Sequence, residues 1–144
     1  MLTNLASQKD PQGWDGYFAH EKEIKDLRTF LETDTFPFAF TFSGFTGSGK
    51  TLAVRLFIKA LFCERRQPGE SHACNECHSC KQDPRVNGSL SNVIWVQRGQ
   101  DETLSKQINN ALQEAYQPPN GFDEDHRNYK VIVFDEAQSI PKDN

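Results

Sequence analysis

The sequence predicts an α/β domain with a parallel sheet flanked by helices. Three observations carry this. A run dense in Phe and Thr at residues 35–43 leads into a glycine-rich turn and then an amphipathic helix. Strand-like and helix-like segments alternate along the chain, as they do where parallel strands are joined by helical crossovers. A wholly apolar segment, Val131-Ile132-Val133-Phe134, ends in Asp135-Glu136, the pattern of a buried strand that carries acidic groups to the edge of a sheet.

Residues 1–15 are polar and mixed, with Pro11, Gly13 and Gly16 as breakers at their end, and predict an irregular arm. Ile24, Leu27 and Leu31 recur at helical spacing and predict a helix over 20–33. The run at 35–43 predicts a buried strand with Pro37 near its start. Gly44 to Gly49 predicts a turn. The next helix spans 51–62, with Leu52, Leu56, Phe57, Ala60 and Leu61 on its apolar face. Residues 63–88 break the pattern and hold all four cysteines; too few apolar side chains lie there to build a core, so something else must hold the segment. Residues 92–96 predict a short strand. A helix follows over 101–116, with Leu104, Ile108, Leu112 and Ala115 on one face and Asp101 as its N-cap. Residues 117–128 predict a polar loop before the strand 131–134.

The 144 residues suffice for one domain with its own core. A net charge of −4 gives no sign of a broad basic surface, although a local patch can still bind nucleic acid. The longest strongly apolar stretch, 52–62, is interrupted by Arg55 and Lys59, which excludes a membrane helix. The first ten residues lack a signal-peptide pattern, so a cytoplasmic location is expected. There, four cysteines suggest a metal before disulfides.

Gly44-Phe45-Thr46-Gly47-Ser48-Gly49-Lys50-Thr51 fits the P-loop pattern at every required position. Glycines let the backbone curl so that successive N–H groups point at an anion. The helix start adds its positive dipole end. Lys50 reaches the terminal phosphates, and Thr51 offers its hydroxyl to Mg²⁺. The expected ligand is ATP or a related nucleotide. Asp135 is the expected partner for Mg²⁺. Glu136 is the expected base that polarises the attacking water, with Lys50 as the second catalytic group.

Cys63, Cys74, Cys77 and Cys80 combine two consecutive Cys-x₂-Cys spacings with a thiol at the end of the preceding helix. Four thiolates with no open position describe a structural zinc site. An iron–sulfur cluster of the bacterial type would need a further cysteine downstream, and a thioredoxin-like pair would use only two of these thiols. His72 and His78 lie in the same segment and leave ligand identity open.

Taken together, these residues resemble the bacterial DNA polymerase III clamp-loader family, above all its tau/gamma ATPase subunit and secondarily its delta-prime subunit. The zinc module after the P-loop helix carries the resemblance. Pro11-Gln12, Trp14 and His20-Glu21 are similar to a family stretch that lies against adenine. Tyr116-Gln117-Pro118-Pro119 and Tyr129-Lys130-Val131 are similar to the approach to the acidic pair. Asp10, Ala19, His20 and Gln138 depart from the family pattern, so the adenine contacts are less well matched than the phosphate contacts.

The resemblance implies an AAA+-like P-loop ATPase domain over 1–144, incomplete at its C-terminus, with a zinc-binding insert at 63–88. It implies ATP, Mg²⁺ and Zn²⁺ as cofactors. The implied partners are other clamp-loader subunits, the sliding clamp, and primed DNA through the assembly, with no membrane. The full family domain continues past Asn144 with a sensor strand, an arginine finger and a helical lid. The expected sheet therefore has a gap or a rearranged pairing, and turnover by the chain alone is expected to be very slow. The alternatives are a non-hydrolysing assembly subunit of the delta-prime kind, or another P-loop ATPase such as a helicase loader with a zinc insert.

Overall fold

The computed structural model describes residues 11–17, 20–97, 103–120 and 129–140. They group into two compact units, one ending at Lys81 and one beginning at Gln82.

In the first unit, α1 (Glu21–Thr33) buries Ile24, Leu27 and Leu31, the stripe its spacing predicts. The helix begins one residue later than predicted because His20 takes a left-handed conformation at φ 56°. It packs against α2 (Lys50–Leu61), which starts one residue earlier than predicted and buries Ala53, Leu56, Phe57, Ile58, Ala60 and Leu61. That burial reaches round most of the helix, as in a core element rather than a surface one.

Between them, residues 35–43 join no sheet among the described residues. This corrects the predicted strand. The period-2 character survives in the packing. Phe36, Phe40 and Phe42 are half-buried while their odd-numbered neighbours and Phe38 are exposed. Phe40 sits with its ring centroid 5.4 Å from Phe30 of α1 and 5.3 Å from Phe57 of α2. Phe36 meets Phe57 edge-on at 6.1 Å. The aromatic face therefore anchors the segment on the two helices without a ladder of backbone bonds.

Past α2, Arg66 is 5% exposed and holds the unit's loops to its helices. Its Nε donates to Ala60 O at 2.9 Å, and its Nη1 donates to Leu31 O at 2.7 Å and to Glu70 O at 2.8 Å. Leu31 lies in the last turn of α1, where carbonyls have no partner within the helix, while Ala60 O also accepts from Cys63 N at 3.3 Å. Arg66→Met keeps the stem and removes the donors. Leaving a buried acceptor such as Leu31 O bare costs about 1–3 kcal/mol, so the thermal midpoint is expected to fall by about 5–10 °C. A fall under about 2 °C would show that these bonds are replaceable by water.

A four-residue helix, α3 (His78–Lys81), was not apparent from the sequence pattern. Glu64 organises it: its Oε1 accepts from Ser79 Oγ at 2.7 Å and Ser79 N at 3.0 Å. Those bonds, the hydroxyl first, hold the Glu64 carboxyl below the usual range.

In the second unit, β1 (Val93–Val96) and β2 (Val131–Phe134) form a two-stranded parallel sheet with Val93 opposite Val131 and Val96 opposite Phe134. Parallel neighbours need a crossover of a dozen residues or so. The connection contains α4 (Leu104–Ala115), whose Ile108 and Ala111 pack with Val96 over Ile94, Leu104, Ile132 and Ile140. Thr103 stands at its N-cap position; the predicted cap, Asp101, lies outside the described residues. On the other edge of β1 the Asn87 side chain takes the place of a strand, accepting from Trp95 N at 2.8 Å and donating to Trp95 O at 3.1 Å.

The described architecture is thus rich in helix with a small parallel sheet, narrower than the flanked sheet the sequence predicts. Among the described residues no helix is long and apolar enough to cross a membrane.

Candidate functional site

Two constellations lie in the first unit. The first is the loop from Gly44 to Thr51. Gly44, Gly47 and Gly49 have φ of 150°, 79° and 87°. Ser48 N donates to Phe45 O at 3.2 Å and closes the turn, and Ala53 N donates to Gly49 O at 2.9 Å as α2 begins. Gly49 is required on two counts: its φ is left-handed, and a Cβ there would lie 2.8 Å from Tyr17 Oη. That hydroxyl donates to Gly49 O at 3.2 Å, and burial pushes the Tyr17 phenol above its ordinary pKa.

Lys50 folds back across the loop. Its Nζ donates to Gly44 O at 2.9 Å and Phe45 O at 2.7 Å, with Ser48 Oγ at 3.4 Å. The ammonium thus sits at the mouth of a curled backbone whose next amides head a helix, where the first N–H groups have no helical acceptors. This combination can hold an anion such as a phosphate. Thr51 is half-buried on the first turn, while Thr46 and the Phe45 ring at the loop's tip are exposed.

Cys63, Cys74, Cys77 and Cys80 form the second constellation. Their four sulfurs all lie within 4.8 Å of one another. Cys74 Sγ and Cys80 Sγ are 3.9 Å apart, close to the edge of about 3.8 Å that a tetrahedron of Zn–S bonds near 2.3 Å requires. Backbone amides aim at the sulfurs, as suits thiolates: Cys74 N at Cys63 Sγ (3.3 Å), Glu76 N and Cys77 N at Cys74 Sγ (3.4 and 3.2 Å), and Cys80 N at Cys77 Sγ (3.4 Å). Asn75 enables this turn with a left-handed φ of 62°. Neither His72 nor His78 belongs to the group among the described residues. His72 Nε2 instead stands 4.0 Å from Asp15 Oδ1. The chain therefore has a candidate four-cysteine metal site whose donor set suits zinc.

The thiols are not equivalent. The amides of Glu76 and Cys77 lower the Cys74 pKa to about 6, whereas burial pushes the Cys80 thiol well up.

The acidic pair belongs to the second unit. Asp135 N donates to Val96 O at 2.9 Å and so extends the sheet's ladder by one residue. Its Oδ1 accepts from Glu136 N at 3.0 Å. Glu136 is exposed and left-handed at φ 53°, an uncommon conformation for a side chain of its type. Ser139 Oγ, donating to Glu136 O at 2.8 Å, helps to hold it.

The structure gives a packing role to Trp14, which the sequence singles out only through its resemblance to a family stretch against adenine. Trp14 is buried at 5% exposure and its Nε1 donates to Ser71 O at 2.8 Å. A Trp and a Tyr in a short polar arm were the available signal, since rings of that size rarely stay in water.

A family described as DNA polymerase III, delta subunit, matches residues 19–143. The chain is also similar to DNA polymerase III subunit tau of Bacillus subtilis (strain 168), at 32% identity over 130 residues. The match covers 90% of this chain and 21% of that protein, so the chain spans about a fifth of the relative's length. No solved structure matches it. The chain belongs to the DNA polymerase III clamp-loader subunit family, whose members include delta, delta-prime and tau/gamma subunits.

Proposed function

We propose that this chain is the nucleotide-binding part of a clamp-loader subunit of the assembly kind. It holds Mg²⁺–ATP with little turnover, within a protein that helps load the sliding clamp on primed DNA. The observation that carries the nucleotide claim is the curled loop Gly44-Phe45-Thr46-Gly47-Ser48-Gly49 with Lys50 turned into its mouth. The delta-subunit family match supports the assembly role.

In this reading the fold is part of an AAA+ ATPase domain in which β1 and β2 are neighbouring parallel strands. The backbone of Gly44 to Thr51 and the Lys50 ammonium hold phosphates. Thr51 and Asp135 serve Mg²⁺. Cys63, Cys74, Cys77 and Cys80 hold one zinc, which fastens the insert at 63–88. Such a subunit works beside the other clamp-loader subunits in the cytoplasm.

A second reading is a hydrolysing ATPase like the tau/gamma subunit. The similarity to subunit tau and the Asp135-Glu136 pair following β2 favour it. In that case Glu136 is the base that activates water.

Nucleotide binding and phosphate release by one preparation separate the two. The assembly reading expects about one ATP bound per chain and release below about 0.01 s⁻¹, far under working enzymes at about 1 s⁻¹ or more. Turnover near that level, lost in Glu136→Gln, would transfer the chain to the hydrolysing class. Absence of binding would overturn both.

A further inference from the structure

Residues 11–17 touch the phosphate loop and the segment that leads into the cysteine cluster. The segment is closed on itself: Gly16 N donates to Gly13 O at 3.2 Å and Tyr17 N to Trp14 O at 2.9 Å. A Cβ on Gly16 would lie 2.7 Å from Pro11 Cβ, so the turn has no slack there. Its C-terminal end reaches the phosphate loop, where Tyr17 Oη donates to Gly49 O. Its start is tied to α2 by Lys59 Nζ, which donates to Gln12 Oε1 at 2.9 Å. Its middle reaches the cysteine segment. There Trp14 Nε1 donates to the carbonyl of Ser71, three residues before Cys74.

Ser71 is 1% exposed and is itself pinned. Its hydroxyl donates to Glu32 Oε1 at 2.7 Å and accepts from Arg28 Nε at 3.1 Å. The metal site begins three residues beyond it, at Cys74. The strap thus joins Ser71, close in sequence to the thiol cluster, to Gly49 of the phosphate loop.

We propose that Trp14 and Tyr17 are positioning residues that make the set of the phosphate loop depend on occupancy of the four-cysteine site. The proposal rests on the nucleotide-binding reading for its consequence, but the linkage itself does not. With zinc bound, the strap holds Gly49 in place and the loop is ready for phosphate. Without zinc, the Ser71 anchor loosens and the loop loses order. By linkage, ATP must tighten zinc by the same factor that zinc tightens ATP.

The test uses the full chain, zinc-loaded and chelated, as wild type, Trp14→Phe and Tyr17→Phe. Hydrogen exchange at the amides of residues 47–53 is read without nucleotide, and ATP affinity is read with Mg²⁺. Zinc removal from the wild type is expected to speed exchange there and weaken ATP about 3- to 10-fold, the range of one neutral hydrogen bond. Zinc-loaded Trp14→Phe is expected to keep its metal yet show the faster exchange, and chelation should then add nothing at 47–53. Tyr17→Phe should match it at the loop. Unchanged exchange on zinc removal, or full zinc dependence retained in Trp14→Phe, would overturn the linkage. If chelation unfolds the chain, zinc-loaded Trp14→Phe decides alone: wild-type exchange at 47–53 rejects the proposal. If no form binds ATP while exchange responds as described, the nucleotide reading fails and the strap stands.

Discussion

Replacing Cys77 by serine is expected to release the metal and loosen residues 63–81, leaving the phosphate loop far less affected. Cys77 is 4% exposed and lies at the centre of the cluster, where its sulfur accepts the amide of Cys80 and its own amide points at Cys74. Among the described residues the buried group there consists of Cys63, Cys77 and Cys80, with Ala73 and Cys74 packed against it. So small an apolar cluster cannot offset the entropy of ordering the segment. Apparent zinc free energies in small metal-organised peptides reach about 10–16 kcal/mol, which is ample for that purpose. Metal analysis of protein purified without added metal should find about one zinc per wild-type chain and almost none in Cys77→Ser. Hydrogen exchange should rise many-fold across 63–81, against the several-fold change expected at the loop. Full metal retention with Cys63 and Cys77 both replaced would reject the ligand set.

The features legible in the sequence are those in which local geometry dictates residue type. Left-handed backbone at Gly47 and Gly49, and the lack of room beside Tyr17, demand glycine. The thiols converge on one turn because each Cys-x₂-Cys step lets a backbone amide reach the preceding sulfur. The apolar run at 131–134 does form a parallel strand, but it is not the buried strand expected: Val131, Ile132 and Val133 are half-buried and Phe134 is exposed.

What escaped depends on partners distant in the chain. Residues 35–43 alternate like a strand, but a strand exists only with a neighbour, and alternation does not name one. Here Phe36 and Phe40 dock on Phe30 and Phe57 instead, with Phe42 beside Phe40. Helix α3 is too short to carry a period; a carboxylate 15 positions upstream of Ser79 holds it. Arg66 reads as a solvated charge in a polar loop, yet it bonds to the carbonyl of Leu31, 35 positions away. Trp14 and Ser71 meet across 57 positions. No local pattern encodes such contacts.

The claim at the centre of this account is that the loop from Gly44 to Thr51 binds the phosphates of ATP, and Lys50 is where it is most exposed to test. The Nζ now satisfied by two loop carbonyls would exchange them for phosphate oxygens, gaining charge-assisted bonds. The same bonds help to shape the loop, so comparing thermal midpoints of the two proteins separates loss of binding from loss of folding. Hydrogen bonds to charged groups contribute about 1.5–3 kcal/mol each, so the loss should be about 10²-fold in affinity. Calorimetric titration of the wild type and Lys50→Ala with ATP and Mg²⁺ is the direct measurement. The account predicts saturable binding near one ATP per chain in the wild type and none detectable in the variant at the same concentrations, with similar thermal midpoints. Equal affinity in the two proteins would contradict it.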